Sequence, residues 1–255
     1  MRLLLTNDDG YQARGIQTLA AVLSEQHDVY VCAPLSQQSG TSHAISLFRP
    51  LEFCEVEERS FAVGGTPADC VKVALIHLFR DVRFDLVISG INHGPNMGED
   101  IFYSGTVAGA REAVLSGLPA VALSLNEWEN PVYFEEAARM FSGLLDCFDD
   151  DILKTGVLLN INFPHSAGYR GWRITHLGKR IYRDTVSVSE QDGKHYVTIE
   201  GEWPHFVPEE GTDMSAVDAG YISVTPLAIE SQDRRFIVHV EKILKKYEKK
   251  SCFSQ

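Results

Sequence analysis

Two adjacent carboxylates, Asp8 and Asp9, stand in the run Asn7-Asp8-Asp9-Gly10, directly after the apolar residues 3–5 and Thr6. Side by side at the end of a buried strand they repel each other and lose solvation, and a cation between them offsets both penalties. Taken alone, the pair also fits a solvated turn in which one aspartate caps a helix. Two further loops carry groups that suit such a site. Residues 36–43, Ser-Gln-Gln-Ser-Gly-Thr-Ser-His, are almost entirely polar. Residues 89–106 hold glycines at 90, 94, 98 and 105, asparagines at 92 and 96, and the triplet Ser104-Gly105-Thr106. Glycines let the backbone approach a ligand closely, and a helix N-terminus presents N–H groups and a positive dipole end to an anion. On its own this stretch also reads as a capped surface loop.

The donor types narrow the chemistry. Carboxylates, a serine hydroxyl and an asparagine carbonyl are hard oxygen donors suited to magnesium, manganese or calcium. No histidine or cysteine pair has zinc spacing. Two carboxylates on a divalent ion leave the site near neutrality, so a phosphate needs more positive potential. No lysine or arginine falls between Ser89 and Ala110, which leaves metal and backbone dipoles as its source. Gly105 is expected to be glycine because a β-carbon would hold the anion away from the amides or resist the backbone angles that point them inward. His43 and His93 are the candidates for protonating a leaving alkoxide, against the plainer reading of hydrogen-bonded loop histidines. His77, inside an apolar helix, reads as structural, Glu99 and Asp100 as loop solvation, and Thr212 and Asp213 as the cap of a short helix.

These groups converge only if the chain folds as strands whose carboxyl ends meet. Residues 3–6 form a short strand, 15–23 carry a helical apolar stripe, and 28–33 form a second strand stopped by Pro34, together a right-handed βαβ unit. Residues 44–63 read as a hairpin. Thr66-Pro67 opens a helix, through residue 79, that is expected to pack deeply. A buried strand at 84–89, a helix from 104, a strand at 119–124, a helix at 133–147 and a strand at 157–163 continue the alternation. That pattern indicates a doubly wound α/β sheet with its ligand crevice at the strand ends. After Trp172 the composition changes to antiparallel hairpin material with a turn at 191–194, followed by a strand at 221–225 and a helix at 234–250. Trp172 and Trp203 in this β-rich excursion, about 172–208, are candidates for an oligomer interface. One domain over 1–255 is expected.

A net charge of -12 over 255 residues argues against a nucleic-acid polymer or an anionic membrane as partner, and 44% apolar content is ordinary for a globular protein. Five scattered cysteines without a C-x-x-C, Cys32 and Cys70 within apolar runs, point to a reducing compartment. The N-terminus lacks a signal-peptide pattern and no apolar run reaches membrane length, so a cytoplasmic location is expected.

The motifs Asn7-Asp8-Asp9-Gly10, Ser39-Gly40, Gly65-Thr66-Pro67, Ser89-Gly-Ile-Asn92-x-Gly-x-Asn96, Tyr103-Ser-Gly-Thr106, and Gly211-Thr-Asp213 with Gly220-Tyr-Ile-Ser-Val-Thr-Pro-Leu227 occur in order from residue 1 to about 230. In this the chain resembles the SurE family of 5′/3′-nucleotidases. The resemblance implies a Rossmann-like three-layer core of mostly parallel sheet, with a β-rich hairpin excursion and a C-terminal helix. It implies hydrolysis of nucleoside 5′- and 3′-monophosphates by a metal-activated water, with one divalent ion, magnesium or manganese, and a homodimer or homotetramer. Carried over by position, the metal ligands are Asp8, Asp9, Ser39 and Asn92. The phosphate-binding residues are Gly40, Asn96, Ser104, Gly105 and Thr106, and Asp8, Asp9 and Asn96 are catalytic. Gln38 stands where the family more often has arginine, and the segment after Trp172 departs most. A phosphatase forming an aspartyl-phosphate, and a nucleotide-binding module without catalysis, remain as alternatives.

Overall fold

A computed structural model describes residues 1–127, 132–154, 156–165, 168–201, 205–229 and 237–248; Trp203 and Cys252 lie outside the described residues. The elements, in chain order, are β1 (Arg2–Thr6), α1 (Arg14–Leu23), β2 (Asp28–Pro34), β3 (Phe53–Glu57), β4 (Ser60–Val63), α2 (Pro67–Val73), β5 (Leu86–His93), α3 (Gly105–Leu115) and β6 (Ala120–Leu125). They continue with α4 (Val132–Leu145), α5 (Asp150–Lys154), β7 (Leu158–Phe163), β8 (Trp172–Ile174), β9 (Arg180–Ile181), β10 (Asp184–Gln191), β11 (Lys194–Gly201), β12 (His205–Phe206), α6 (Asp213–Asp218), β13 (Ile222–Leu227) and α7 (Ile237–Glu248).

Among the described residues nine strands form one sheet in the order β3-β4-β2-β1-β5-β6-β7-β13-β8. The six from β4 to β7 run parallel, while β3 and β13 are antiparallel to their neighbours β4 and β7. Alternation along β1 builds both faces: Leu3 and Leu5 join the core under α1 and α4, and Leu4 joins the core under α2 and α3. The result is the expected three-layer α/β architecture. From β1 the chain steps to β2 on one side, and β5 later takes the other side. The strand order thus reverses between β1 and β5, where an open sheet leaves its crevice.

Local chemistry accounts for the element ends. Thr66 and Asp69 form a reciprocal cap (3.2 and 2.9 Å) with Pro67 in the first turn, so α2 starts where the sequence indicates. The continuation does not pack deeply, however. Residues 74–78 widen into a π-helical turn in which Ile76 is 74% exposed and His77, also exposed, meets Phe53 edge to face. Ala74 and Phe79 stay in the core, Phe79 against Tyr30 of β2 and Phe61 of β4, so only one face of this turn reaches solvent.

The segment after Trp172 also departs from expectation. Trp172 begins β8, which pairs in parallel with β13 inside the main sheet, and its ring packs on Phe163 at 6.0 Å rather than facing outward. The excursion proper is the ribbon β10–β11, closed at its root by β9 against β12. Asp192 and Gly193, with φ of 52° and 70°, make its tight turn. Every residue of both ribbon strands is exposed, including Val186, Val188, Val197 and Ile199. Val240, Ile243 and Leu244 of α7 are exposed too. Among the described residues no helix is long and apolar enough to cross a membrane.

Helix α1 lies hard against the bend of β5. A β-carbon on Gly15 would come within 1.9 Å of the Ile91 carbonyl oxygen, a backbone atom that cannot step aside. Gly15→Ala is therefore expected to cost about 3 kcal/mol or more in a urea titration. Unchanged stability would mean that α1 slides freely over β5.

Candidate active site

The loops after β1, β2 and β5 enclose a cavity of about 880 Å³. Asp8, Asp9, Ser39, Gly40, Asn92, Asn96 and Ser104 all line it, as does His93. The loops are laced to one another: Gln38 N–H donates to the Asp8 carbonyl at 2.7 Å, and Ser42 donates its N–H to Tyr103 O and its hydroxyl to Phe102 O.

Each residue of the expected metal set is held by neighbouring groups. Asp8 accepts the Thr106 hydroxyl on Oδ1. Asp9 accepts both the N–H and the ring Nδ1 of His93 on Oδ2, at 3.0 and 2.9 Å. Asn92 donates from Nδ2 to the Gly94 carbonyl at 2.8 Å, which turns its own carbonyl oxygen away from that bond. Ser39 Oγ accepts from Gln37 at 2.9 Å. Outer partners that orient ligands in this way are what a cation site requires. Among the described residues no group of three or more His, Cys, Asp or Glu side chains is placed to hold a metal ion by itself. The set is two carboxylates with a hydroxyl and an amide, which fits a hard divalent ion.

Asp8 is 4% exposed. Burial first, and then the charge of Asp9, push its carboxyl up to about 6 against the opposing hydrogen bonds from Thr106. The side chain sits under the start of α3. A β-carbon on Gly105 would meet Asp8 Cβ at 2.8 Å and Oδ2 at 2.9 Å. Gly105 thus makes room for a protein carboxylate, and a larger residue there would press on a proposed metal ligand as well as on any bound anion. Thr106 gives its hydroxyl and its N–H to Asp8. Ser104 caps α3 by accepting from Val107 N–H at 3.0 Å.

Asn96, 7% exposed, is the most firmly held group in the cavity. Its N–H donates to Asn162 Oδ1 (2.8 Å), its Nδ2 donates to Ser124 Oγ (2.8 Å), and its carbonyl accepts from Asn160 and Asn162 (2.8 and 3.0 Å). None of Ser124, Asn160 and Asn162 figures in the sequence analysis. The signal was present: two amides alternate along the apolar strand β7, and buried amides demand partners.

The two histidines part company. His43 turns away and pairs with Glu112 at 2.8 Å, a carboxylate 3% exposed that also holds Lys72 at 2.7 Å. His93 alone of the two lines the cavity. Glu99 and Asp100 are not solvated loop residues. Glu99 accepts the Arg180 N–H at 2.8 Å, and Asp100 accepts Arg180 Nε at 2.9 Å and the Tyr182 hydroxyl. The root of the ribbon is thereby tied to the glycine loop, and Tyr182 and Asp184 form part of the cavity rim. Thr212 does cap α6, as its sequence suggests. Asp213 does more, accepting the N–H groups of Gly98, Gly178 and Met214 at 2.9, 2.8 and 2.9 Å.

Residues 3–184 match the family described as Survival protein SurE. The 5′-nucleotidase SurE of Kosmotoga olearia is 42% identical over 234 residues, covering 89% of this chain and 92% of that protein. The 5′/3′-nucleotidase SurE of Proteus mirabilis is 40% identical over 260 residues, with 99% and 100% covered. The crystal structure of the SurE protein from Aquifex aeolicus superimposes with a TM-score of 0.82 at 36% identity, covering 96% of this chain and all of that one.

The raised carboxyl of Asp8 has a consequence for metal-free protein. Folded Asp8 keeps its proton up to about 6, whereas the unfolded chain releases it near the ordinary value, so stability present below that lower value is lost as pH rises to about 6. Asp8→Asn in chelator is expected to melt higher than the parent at pH 7.5, by up to about 3 kcal/mol, the gap closing towards pH 4. Coincident melting curves across that range would mean that Asp8 is not held in an ion-poor cleft.

Proposed function

The chain belongs to the SurE family, and on that footing we propose that it is a divalent-metal-dependent nucleotidase releasing inorganic phosphate from nucleoside 5′- and 3′-monophosphates. The observation that carries this is the meeting of Asp8, Asp9, Ser39 and Asn92 with Asn96 in one cavity at the β1/β5 reversal. Its weight comes from relatives about two-fifths identical that bear the name nucleotidase.

Asp8, Asp9, Ser39 and Asn92 would hold one magnesium or manganese ion. When bound, such an ion cancels the two carboxylate charges, polarises the phosphoryl group as a Lewis acid and lowers the pKa of water. Asn96, fixed by Asn160, Asn162 and Ser124, directs its remaining amide proton at a phosphoryl oxygen without reorganising as charge develops. His93 has Nδ1 tied to Asp9, which leaves Nε2 to carry a proton to the departing alkoxide. No lysine or arginine lines the cavity among the described residues. Asp8 and Asp9 are each already held on one oxygen by Thr106 and His93, an arrangement suited to ligands more than to an attacking carboxylate.

We further place the protein in the cytoplasm, on its free cysteines and lack of any paired-cysteine pattern. We read it as a homodimer or homotetramer, on the exposed apolar residues of the β10–β11 ribbon and of α7.

Chelator is expected to abolish hydrolysis of adenosine 5′-monophosphate, and magnesium or manganese to restore it; full activity in chelator would defeat the metal reading. His93→Ala is expected to lower kcat for that substrate by roughly 100-fold or more, and to affect p-nitrophenyl phosphate far less, because its leaving group needs no proton. Equal losses on both would make His93 a support for Asp9 instead. Light scattering at micromolar concentration is expected to give a multiple of the chain mass, and a monomer would remove the proposed assembly.

A further inference from the structure

A nucleoside monophosphate has a charged end and a flat aromatic end, and the groups described so far receive only the first. A second cavity of about 420 Å³ adjoins the first and shares Asp100 and Tyr182 with it. Its apolar wall is Met97, Met214 and Val217, at most 5% exposed, with Phe206 packed against them. Asn126, Arg180 and Asp218 complete its polar lining.

We propose that this second cavity is the subsite for the nucleotide base, an inference that rests on the nucleotidase reading above. A base presents two apolar faces and a rim of donors and acceptors, and sites for such groups are apolar pockets with a few polar side chains. Two thioethers and a phenyl ring supply polarizable contacts for the faces. The Asn126 amide both donates and accepts, Arg180 donates but is engaged by Asp100, and the Asp218 carboxyl oxygens accept, so the Asp218 side favours a ring N–H or an exocyclic amino group.

The pocket is built rather than incidental. Asp213, fully buried, binds Gly98 N–H and Met214 N–H with one carboxylate, fastening the turn that carries Met97 to the helix that carries Met214 and Val217. The wall between the cavities is fixed as well, since Asp100 is held by Arg180 at 2.9 Å and by Tyr182. A ribose crossing that wall would join a phosphate at Asn96 to a base at Met97, one residue further along the same loop.

Steady-state kinetics on adenosine 5′-monophosphate and ribose 5-phosphate, the same ester with and without a base, separate this idea from the one beneath it. Phe206→Ala is expected to raise KM for the nucleotide tenfold or more while moving that for ribose 5-phosphate less than twofold. Asp218→Asn, an exposed substitution that spares the fold, is expected to change the ratio of kcat/KM for adenosine and uridine monophosphates at least threefold. Equal effects of Phe206→Ala on both esters, or an unchanged ratio in Asp218→Asn, would overturn the base subsite. Parent protein that hydrolyses neither ester would instead overturn the nucleotidase reading.

Discussion

A carboxylate buried at the point where the strand order reverses is the constraint around which the rest of this structure is arranged. Asp8 is out of water beside another carboxylate, and an isolated charge in that position is among the least tolerable things a fold can contain. The surroundings answer it piece by piece. Gly105 leaves the space, the first turn of α3 turns a hydroxyl and an N–H towards it, and the loop after β2 is pinned to its carbonyl. What these groups do not supply is a full positive charge. Burial and the neighbouring Asp9 leave the Asp8 carboxyl raised, and a cation beside it would offset the charge that these groups leave uncompensated.

The architecture was legible because it is periodic. Apolar runs on β1, β2, β5, β6 and β7, separated by helical stripes, can hardly pack otherwise than as a doubly wound sheet, and that alone delivers three distant loops to one edge. The two-residue turn at Asp192-Gly193 was legible for a similar reason, since its positive φ angles call for those residue types. The side-chain pairings were not. Whether His43 faces the cavity or Glu112 depends on how far α3 lies from the loop after β2, a tertiary distance that no local pattern encodes. The same holds for Arg180 and Tyr182, which reach back some eighty residues to Asp100. That β8 joins the main sheet is not legible either, since three residues are too few to show which sheet a strand enters.

Asn96 shows how a site residue can be read from its supports. One amide in a glycine loop says little. Two amides on one face of β7 and a serine on β6, all without exposed surface, converge on that loop and leave its side chain one orientation. Rigid strands carry the supports and the loop merely presents the group, so the precision of the contact is inherited from the sheet.

The ribbon of β10 and β11 has eight residues on each side, a reach of roughly 25 Å at extended-strand rise. Its root is not neutral ground, for Tyr182 and Asp184 belong to the cavity mouth. A hairpin exposed along both strands thus starts at the cavity mouth and ends well away from it, so one continuous piece of chain connects the opening to a distant apolar surface.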